Sequence, residues 1–475
     1  MRSISIFSSV LIALCLSALP TDAATNIAVD VSYAAVSAAI AKSADGDTVV
    51  LPAGSTVWNS TFNLTNSITL VGAGTNLTMI SGNGGTILSV LLSADKPVRI
   101  SGISFNNVRG STVPTLVLHS KLTAFRVDHC RFNFGKRAIN PQGWCYGVVD
   151  HCTFIDCDIG VGVTGDDDFA WGRPVEPGST NCVCIEDNVF IIDNDVPQLP
   201  NEQVYHQEGT RTIVRYNVFD GSSYTAGDPS FIDAHGNNNY YSGNLNTDFR
   251  GTVLMECYSN VFHAHQTFQF VYLRGGTFFV YGNGLVCDLG TPSAFVLTEE
   301  EGWQALVFNP LRTTWPAQDQ ITNSYFWANT LNGSLLSDVA LANTNDVIFI
   351  KQGRDYWMHQ PNSTNVYANY APLVYPHPLV NVQNRLAIPR GVVPFASASL
   401  QSGVAPLKVS FSSAGSYARA GTALTYFWTF GDGGFSSEAN PVYTYPSNGT
   451  YSAQLFVSDG LTNGSAKLRV KVPSP

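Results

Sequence analysis

The sequence predicts an all-β protein in two parts, a long solenoid of short stacked strands followed by a small β-sandwich. Charged residues make up 13% of the 475, about half the usual share of roughly 25%, whereas Gly (41), Phe (27) and Tyr (20) are abundant and Met (4) is scarce. This composition favours strands and turns over helical bundles. A strand motif ending in Phe recurs along the first part, and strand-like segments follow one another closely in the second.

The N-terminus predicts export. Arg2, an apolar stretch from Ile4 to Leu19 and the small-residue site Thr21-Asp22-Ala23 are typical of a signal peptide over residues 1–24. A membrane anchor is the weaker interpretation, because the apolar run is shorter than the ~20 residues that span a bilayer. We therefore expect a secreted protein, extracellular or associated with the cell surface, without membrane insertion. The net charge of −10 and the absence of basic runs argue against a nucleic-acid partner.

The recurring motif predicts a coil of strands. It reads Ser-Gly-Ile-Ser-Phe at 101–105, Val-Asp-His-Cys-Arg-Phe at 127–132, Val-Asp-His-Cys-Thr-Phe at 149–154, Ile-Glu-Asp-Asn-Val-Phe at 185–190, Val-Arg-Tyr-Asn-Val-Phe at 214–219 and Cys-Tyr-Ser-Asn-Val-Phe at 257–262, with weaker echoes at 280–283 and 322–326. The intervals between the Phe residues are 27, 22, 36, 29 and 43. Such spacing is typical of solenoid turns that carry loops of different length.

Stacked turns would align equivalent residues in columns at the ~4.8 Å spacing of strands. One predicted column contains the Phe residues. The other lies two positions earlier and contains Ile103, Cys130, Cys152, Asn188, Asn217, Asn260 and Asn283. A buried Asn can bond to the turns on both sides, so we interpret both columns as structural.

A predicted helix at 32–43 is followed by Gly-Asp-Thr-Val-Val-Leu-Pro-Ala-Gly at 46–54 and Ile-Thr-Leu-Val-Gly-Ala-Gly at 68–74. Together with the recurring motif, these segments resemble the right-handed parallel β-helix of the pectate-lyase-like superfamily. The resemblance implies a single-stranded solenoid over residues 25–385 whose helix caps the open end of the coil.

The cysteines permit disulfides in an exported protein. Eight cysteines remain beyond the signal peptide, and these allow 105 pairings. Five of the eight lie between Cys145 and Cys184, which suggests a locally stapled stretch.

Residues 386–398 are predicted to be a linker limited by Pro389 and Pro394. Beyond it, Trp-Thr-Phe-Gly-Asp-Gly at 428–433, Tyr-Thr-Tyr-Pro at 443–446 and Gly-Thr-Tyr at 449–451 resemble the polycystic-kidney-disease (PKD) type of immunoglobulin-like domain. The resemblance implies a small immunoglobulin-like β-sandwich over 399–475 with Trp428 in its core.

Three polar clusters, at residues 165–176, 206–236 and 250–276, are candidates for ligand binding or catalysis. Asp166, Asp167 and Asp168 are adjacent carboxylates that suit Ca²⁺, which takes about six to eight oxygens. An acid/base pair and a solvated acidic loop are the alternative interpretations. The predicted substrate-binding residues are Trp171, Arg173, His206 and Arg211, and aromatic residues such as Tyr205 could stack on sugar rings.

The predicted catalytic residues are Asp233, His235, Arg250, Glu256 and Arg274. Asp233 lies two residues before His235, which places both on one strand face, and histidine carries protons near neutral pH. Two guanidinium groups on neighbouring turns would suit a sugar carboxylate. Salt bridges to nearby carboxylates are an equally good interpretation of both arginines.

The resemblance and the cationic cluster favour an enzyme that acts on a polysaccharide, with lyase chemistry first. In a lyase, cations or Ca²⁺ would neutralise a uronate carboxylate while Arg250, Arg274 or His235 removes the neighbouring proton. In a glycoside hydrolase, two carboxylates would do the work. Asp167 and His235 resemble a polygalacturonase pattern only faintly, because 68 residues separate them. The third alternative is a non-catalytic glycan-binding or matrix protein.

Overall fold

The computed structural model describes residues 23–473 except for 120, 166–173, 193–201, 225–229, 237–249, 300–319, 382–391, 395, 401, 415, 419–422 and 461–462. Most of the predicted signal peptide, residues 1–22, therefore lies outside the described residues. No described helix is long and apolar enough to cross a membrane.

The first part of the chain is a parallel β-helix, as predicted. Most coils contribute one strand to each of three sheets, and these strands pair in parallel with their equivalents on the next coil. The exception is Ser334–Leu335, which pairs antiparallel with Thr330–Leu331. Within the described residues, sheet A consists of Thr25–Ile27, Thr48–Val50, Thr69–Val71, Val98–Ser101, Leu122–Asp128, Cys145–Asp150, Val183–Glu186, Arg211–Arg215, Leu254–Tyr258, Thr277–Tyr281, Ser324–Trp327 and Tyr356–Trp357.

Sheets B and C follow sheet A around each coil. Sheet B consists of Gly54–Val57, Thr78–Ser81, Ser104–Asn106, Arg131–Asn133, Thr153–Ile155, Val189–Ile191, Val218–Gly221, Val261–Gln266, Gly284–Leu289, Thr330–Leu331 and Ser334–Leu335. Sheet C consists of Phe62–Leu64, Leu88–Val90, Pro114–Leu118, Arg137–Pro141, Ile159–Thr164, Val204–Gln207, Ile232–Ala234, Gln269–Leu273, Ser293–Leu297 and Ala340–Leu341. Two 3₁₀ helices, Thr344–Ile348 and Pro378–Val380, lie near the end of this part.

The predicted capping helix is present and spans Tyr33–Ile40, shorter than the expected 32–43. Its N-terminus is capped by Ser32, whose hydroxyl accepts a hydrogen bond from the backbone N–H of Ala35. Val36 and Ile40 are buried in the same hydrophobic core as the strands of the first coils. The helix therefore covers the end of the coil.

The Asn column forms a continuous ladder, which extends one coil further than predicted to Asn329. The side-chain N–H₂ of Asn217 donates to Oδ1 of Asn260 (3.0 Å) and to the backbone carbonyls of Ile185 and Arg215 (2.9 and 3.0 Å). Its Oδ1 accepts from the side-chain and backbone nitrogens of Asn188 (both 3.0 Å). Asn260 and Asn283 repeat this pattern.

The predicted Phe column is a stack of internal rings. Neighbouring ring centroids are 4.6–5.4 Å apart and nearly parallel, in the order Phe105, Phe132, Phe154, Phe190, Phe219 and Phe262. The predicted echo at 322–326 was aligned wrongly. Phe326 pairs with Val280 in sheet A, so it belongs to a different column.

The expected stapled stretch is absent, because all eight cysteines from Cys130 to Cys287 are free and buried. Cys130 and Cys152 occupy the positions that Asn fills on later coils. The Cys152 thiol donates to the Val127 carbonyl (3.6 Å), as the Asn188 amide donates to Val149 (2.9 Å) on the following coil. Burial raises the pKa of the Cys152 thiol well above its usual value. These cysteines therefore serve as packing residues and weak donors.

The second part of the chain is a sandwich of short antiparallel strands with its own core around Trp428. Val392 and Ala396, which were predicted to lie in a linker, are buried in that core. Two strands of the sandwich therefore begin within the stretch 386–398. The strands are Val392–Val393, Ser397–Ala398, Leu407–Ser412, Tyr417–Ala418, Thr425–Thr429, Phe435–Ser436, Val442–Tyr445, Gly449–Ser458 and Asn463–Val472.

Candidate functional site

The outer face of sheet C carries two columns of polar residues. Alternate residues of each strand point outward, and parallel pairing aligns them from coil to coil. The register places Gly162 beside Tyr205, Tyr205 beside Asp233, and Asp233 beside Tyr272. The second column lies two residues further along the strands, where His235 and Arg274 follow the strand ends. Three of the predicted catalytic residues thus meet on this face.

Asp233 is the centre of the cluster. Its Oδ2 lies 2.5 Å from Nη2 of Arg274 and 3.3 Å from Nε2 of His235. Burial disfavours the charged carboxylate, but these two neighbours lower the pKa of Asp233 below its usual value. Asp233 is buried, whereas the His235 and Arg274 side chains are 12% and 19% exposed. The buried Asp233 carboxylate therefore fixes the positions of the partly exposed His235 and Arg274 side chains.

Glu202 completes the charged group. Burial, the negative charge of Asp233 and a hydrogen bond between the two carboxyl groups raise the pKa of Glu202 to about 7. The same hydrogen bond helps to keep Asp233 ionised. Below a pH of about 7 the pair therefore shares one proton, which resides on Glu202.

Tyr205 and Arg137 lie beside this group. The ring centroids of Tyr205 and His235 are 4.9 Å apart, and the guanidinium carbon of Arg137 is 5.3 Å from the centroid of Tyr205. The Tyr205 hydroxyl donates to Oε1 of Gln207 (2.5 Å). Burial and the charge of Asp233 raise the pKa of this phenol well above its usual value, and Arg137 opposes the rise. The hydroxyl therefore stays protonated.

Arg137 reaches Tyr205 because Gly162 has no side chain. A Cβ at Gly162 would lie 2.8 Å from Cδ of Arg137, so the arginine crosses the strand where other coils carry an outward side chain. Its hydrogen bonds go to neutral oxygens of Asn140 (3.5 Å) and Thr164 (3.4 Å). In the described part of the chain no carboxylate lies within ion-pair distance of Arg137, although its charge opposes the rise in the pKa of Asp158 that burial causes. Arg137 is thus a cation available to an anionic ligand.

The sequence analysis missed Arg137 and Glu202 and considered Tyr205 only as a stacking aromatic. Arg137 lies five residues after Phe132, on the next strand of the same coil. Extending the alignment of the coils into that strand would have placed it on sheet C. Glu202 follows a long inter-strand segment, where counting from the Phe column gives no register.

His206 was predicted to bind substrate, but it faces the core. Its side chain is buried, and Nδ1 lies 2.7 Å from the Thr212 hydroxyl. Burial lowers the pKa of the imidazole to about 3. The reason is register: His206 alternates with Tyr205 and Gln207 on one strand, so it points inward when they point outward.

Arg211, Glu256 and Arg250 lie with sheet A and not with the cluster on sheet C. Arg211 is buried against Glu176 (2.6 Å) and the Tyr146 hydroxyl (2.7 Å). Glu256 accepts hydrogen bonds from the Gly178 N–H (2.7 Å) and the Tyr370 hydroxyl (2.6 Å). Arg250 lies near Tyr367, whose raised pKa it partly offsets. Chain segments at 174–182 and 367–380 pack over the outer side of sheet A.

Several predicted ligand-binding residues lie outside the described residues: Asp166, Asp167, Asp168, Trp171 and Arg173. The rest of the chain, as far as the structure describes it, holds no group of three or more His, Cys, Asp or Glu arranged for a metal ion. The expected calcium site therefore stays a prediction.

Comparison with known proteins identifies the C-terminal sandwich. Residues 392–472 match the family model of the PKD domain. The sandwich is a PKD domain. A 58-residue stretch is 41% identical to collagenase ColA of Bacillus cereus, and it covers 12% of this chain and 6% of that protein. The PKD1 domain of Epp from Vibrio anguillarum is 26% identical over 18% of this chain and 96% of that domain, with a TM-score of 0.16.

Among solved structures, the chain is similar to an alginate lyase from Paenibacillus sp. strain FPU-7. The match covers 71% of this chain and 98% of that protein, with 15% identity and a TM-score of 0.44. The β-helix is established by the parallel sheets described above.

Proposed function

We propose that the chain is an exported enzyme of polysaccharide degradation, a lyase that cleaves a uronate-containing polysaccharide by β-elimination. The observation that carries this proposal is the placement of Arg137, Tyr205 and His235 on one outer face of sheet C. Arg137 lies over Tyr205, and His235 lies against the same ring. A cation, a protonated phenol and an imidazole are therefore next to one another on the outer side of this sheet.

β-Elimination at a uronate needs three groups. A cation neutralises the carboxylate, which makes the neighbouring C–H acidic enough to lose its proton. A base takes that proton, and the C–H electrons form a carbon–carbon double bond. An acid protonates the glycosidic oxygen as the C–O bond breaks, so that the leaving sugar departs as an alcohol.

The three side chains suit these roles. Arg137 binds the carboxylate, because its guanidinium is charged and its hydrogen bonds go to neutral oxygens. His235 takes the proton. Tyr205 gives its proton to the leaving oxygen, since burial keeps the phenol protonated, and Arg137 stabilises the phenolate that forms.

Asp233, Arg274 and Glu202 position His235. Contact of Nε2 with Asp233 selects the tautomer that carries its proton on Nε2, which leaves the basic lone pair on Nδ1. Arg274 donates to the same oxygen, Oδ2 of Asp233. In this proposal Arg274, which the sequence suggested as a base, acts through Asp233.

Glycoside hydrolysis is the second candidate, because the raised pKa of Glu202 is a property of a general acid. Its partner would be Asp233. Hydrogen-bonded carboxyl groups, however, are closer together than the ~5–5.5 Å of retaining enzymes or the ~6.5–9.5 Å of inverting enzymes. The short distance between the Glu202 and Asp233 carboxyl groups therefore favours elimination over hydrolysis.

Incubation with a panel of polysaccharides tests the proposal. We expect ultraviolet absorbance from an unsaturated uronide with a uronate-containing polymer, and none with neutral glycans. His235→Gln and Arg137→Ala should each lower kcat/KM by roughly 10²–10³-fold, as removal of a single transition-state contact does. The matched controls are His263→Gln on sheet B and Arg109→Ala, both at exposed positions away from the cluster.

Other outcomes would contradict elimination. New reducing ends without the absorbance would indicate hydrolysis, and polymer binding without any product would indicate a binding protein. Full activity of both site variants would show that the reaction does not take place at the cluster on sheet C.

A parallel assay with EDTA and with added Ca²⁺ tests the predicted calcium site at Asp166–Asp168. N-terminal sequencing of the exported protein tests cleavage after residue 24.

A further inference from the structure

A second concave region lies on the same side of the β-helix as the cluster. It is an open groove of about 560 Å³ beside the last strands of sheet C. A groove of this size suits a small ligand or a few sugar residues. The residues that line it include Gln266, Thr267, Phe268, Gln269, Leu289 and Val296. We call it the distal groove.

The distal groove continues the outward column that contains Tyr205 and Asp233. Asp233 pairs with Tyr272, Tyr272 with Val296, and Val296 with Ala340. Each step is one coil, or ~4.8 Å. Val296 therefore lies about 10 Å from Asp233 along the axis. An extended polymer that follows the column from the cluster would reach the groove within two or three sugar residues.

The chemistry of the distal groove differs from that of the cluster. Its described lining contains amide, hydroxyl and aliphatic groups and no charged side chain, whereas the cluster contains Arg137. Phe268 borders the groove and is 75% exposed, and Leu289 is 50% exposed. An exposed aromatic ring flanked by neutral hydrogen-bonding groups complements a sugar ring, whose faces are apolar C–H surfaces and whose edge carries hydroxyls.

We propose that the distal groove binds an uncharged sugar residue of the substrate, stacked on Phe268, two to three residues along the polymer from the uronate held by Arg137. This inference rests on the proposed function for the position of the uronate. It implies that the substrate is a heteropolysaccharide in which uronates and neutral sugars are mixed, and not a homopolymer of uronate.

Affinity electrophoresis measures binding without requiring turnover. The gels contain alginate or polygalacturonate as uronate homopolymers, or glucuronoxylan, gellan or rhamnogalacturonan as mixed polymers. We expect stronger retardation by at least one mixed polymer than by either homopolymer. Phe268→Ala should weaken that binding roughly 5–10-fold, whereas Phe268→Trp should retain it. Leu335→Ala is the control, because Leu335 is exposed but does not line the groove.

The same variants are then assayed for unsaturated product with the mixed polymer and with short fragments of it. Phe268→Ala should lower kcat/KM for the polymer but leave the shortest cleaved fragment unaffected. Equal binding by Phe268→Ala and wild type, or preference for a homopolymer, would overturn the distal-groove proposal even if elimination occurs. Binding that depends on Phe268 without any unsaturated product would overturn the lyase proposal and leave the groove assignment standing.

Discussion

Gly162 shows how much of the site depends on one missing side chain. The outward column of sheet C has side chains at Asn140, Tyr205, Asp233 and Tyr272, and Gly162 is the gap through which Arg137 passes. Nothing in the local backbone demands glycine here, since the residue lies within a regular strand. Glycine occupies this position because the Arg137 side chain lies across it.

We predict that Gly162→Ala lowers kcat/KM by about 10–100-fold, because the added Cβ displaces Arg137 and misplacement of a binding group by about 1 Å has effects of this size. Steady-state kinetics and thermal unfolding together check the prediction. The midpoint of unfolding should change little. Gly284→Ala is the control, since a Cβ at Gly284 meets no atom within 4 Å. Unchanged activity of Gly162→Ala would show that the activity does not depend on Arg137 crossing the strand at Gly162.

Glu202 predicts a pH dependence of the rate. Its raised pKa of about 7 means that the carboxyl is protonated below that pH and donates to Asp233. As the pH rises through about 7, Glu202 ionises and two carboxylates repel each other beneath His235. The rate should therefore fall over this range in the wild type. Glu202→Gln should lose that inflection, because its amide donates at every pH. A pH–rate profile with the same inflection in both proteins would refute this role.

At the scale of elements, the ladder of buried amides joins successive coils. We predict that Asn217→Ala lowers the free energy of unfolding by about 2–4 kcal/mol, because it leaves the backbone N–H of Asn188 and the carbonyl of Ile185 without their partners. Denaturant unfolding measures the loss. The exposed Asn369→Ala, on a surface turn, should lie within about 0.5 kcal/mol of wild type. A loss below 1 kcal/mol for Asn217→Ala would contradict the interpretation of the ladder.

The columns could be predicted from sequence because one residue type recurs at one position of each coil. The site could not be predicted in full, because sheet C presents a different residue on each coil. Intervals of 22 to 43 residues between equivalent positions also prevent counting into that sheet. Asp233 and His235 lie on one face, as their spacing of two residues predicts, whereas Arg274 forms the salt bridge to Asp233 that was the alternative interpretation. Arg211 and Glu256 were placed with them wrongly, because both precede the motif and so lie on sheet A.

At the scale of the whole molecule, the buried free thiols predict that the protein resists oxidation and that reductants do not change its stability. Burial raises the pKa of the thiols at Cys157, Cys182, Cys184 and Cys257, so the reactive thiolate is scarce. Ellman's reagent should react with none of the eight cysteines of native residues 25–475 and with all eight after denaturation. A lower unfolding temperature in dithiothreitol, or fewer than eight thiols after denaturation, would reveal disulfides.

Global stability should depend on pH through Glu256. Burial raises its pKa to about 7, although the hydrogen bond from Tyr370 opposes the rise. A folded pKa above the unfolded value of about 4.5 means that the contribution to stability is complete below pH 4.5 and is lost as the pH rises to 7. The unfolding temperature of the wild type should therefore fall between pH 5 and 8. Glu256→Gln should reduce the slope, and the exposed Glu438→Gln should leave it unchanged.

The cluster on sheet C draws its side chains from different coils, and their spacing is set by pairing between strands and not by the chain that connects them. Insertions or deletions in the connecting segments would leave the distances among Arg137, Tyr205 and His235 intact. If the proposed lyase activity is correct, connecting segments could therefore be exchanged, in evolution or by engineering, to alter substrate preference without displacing the three side chains that act on the bond.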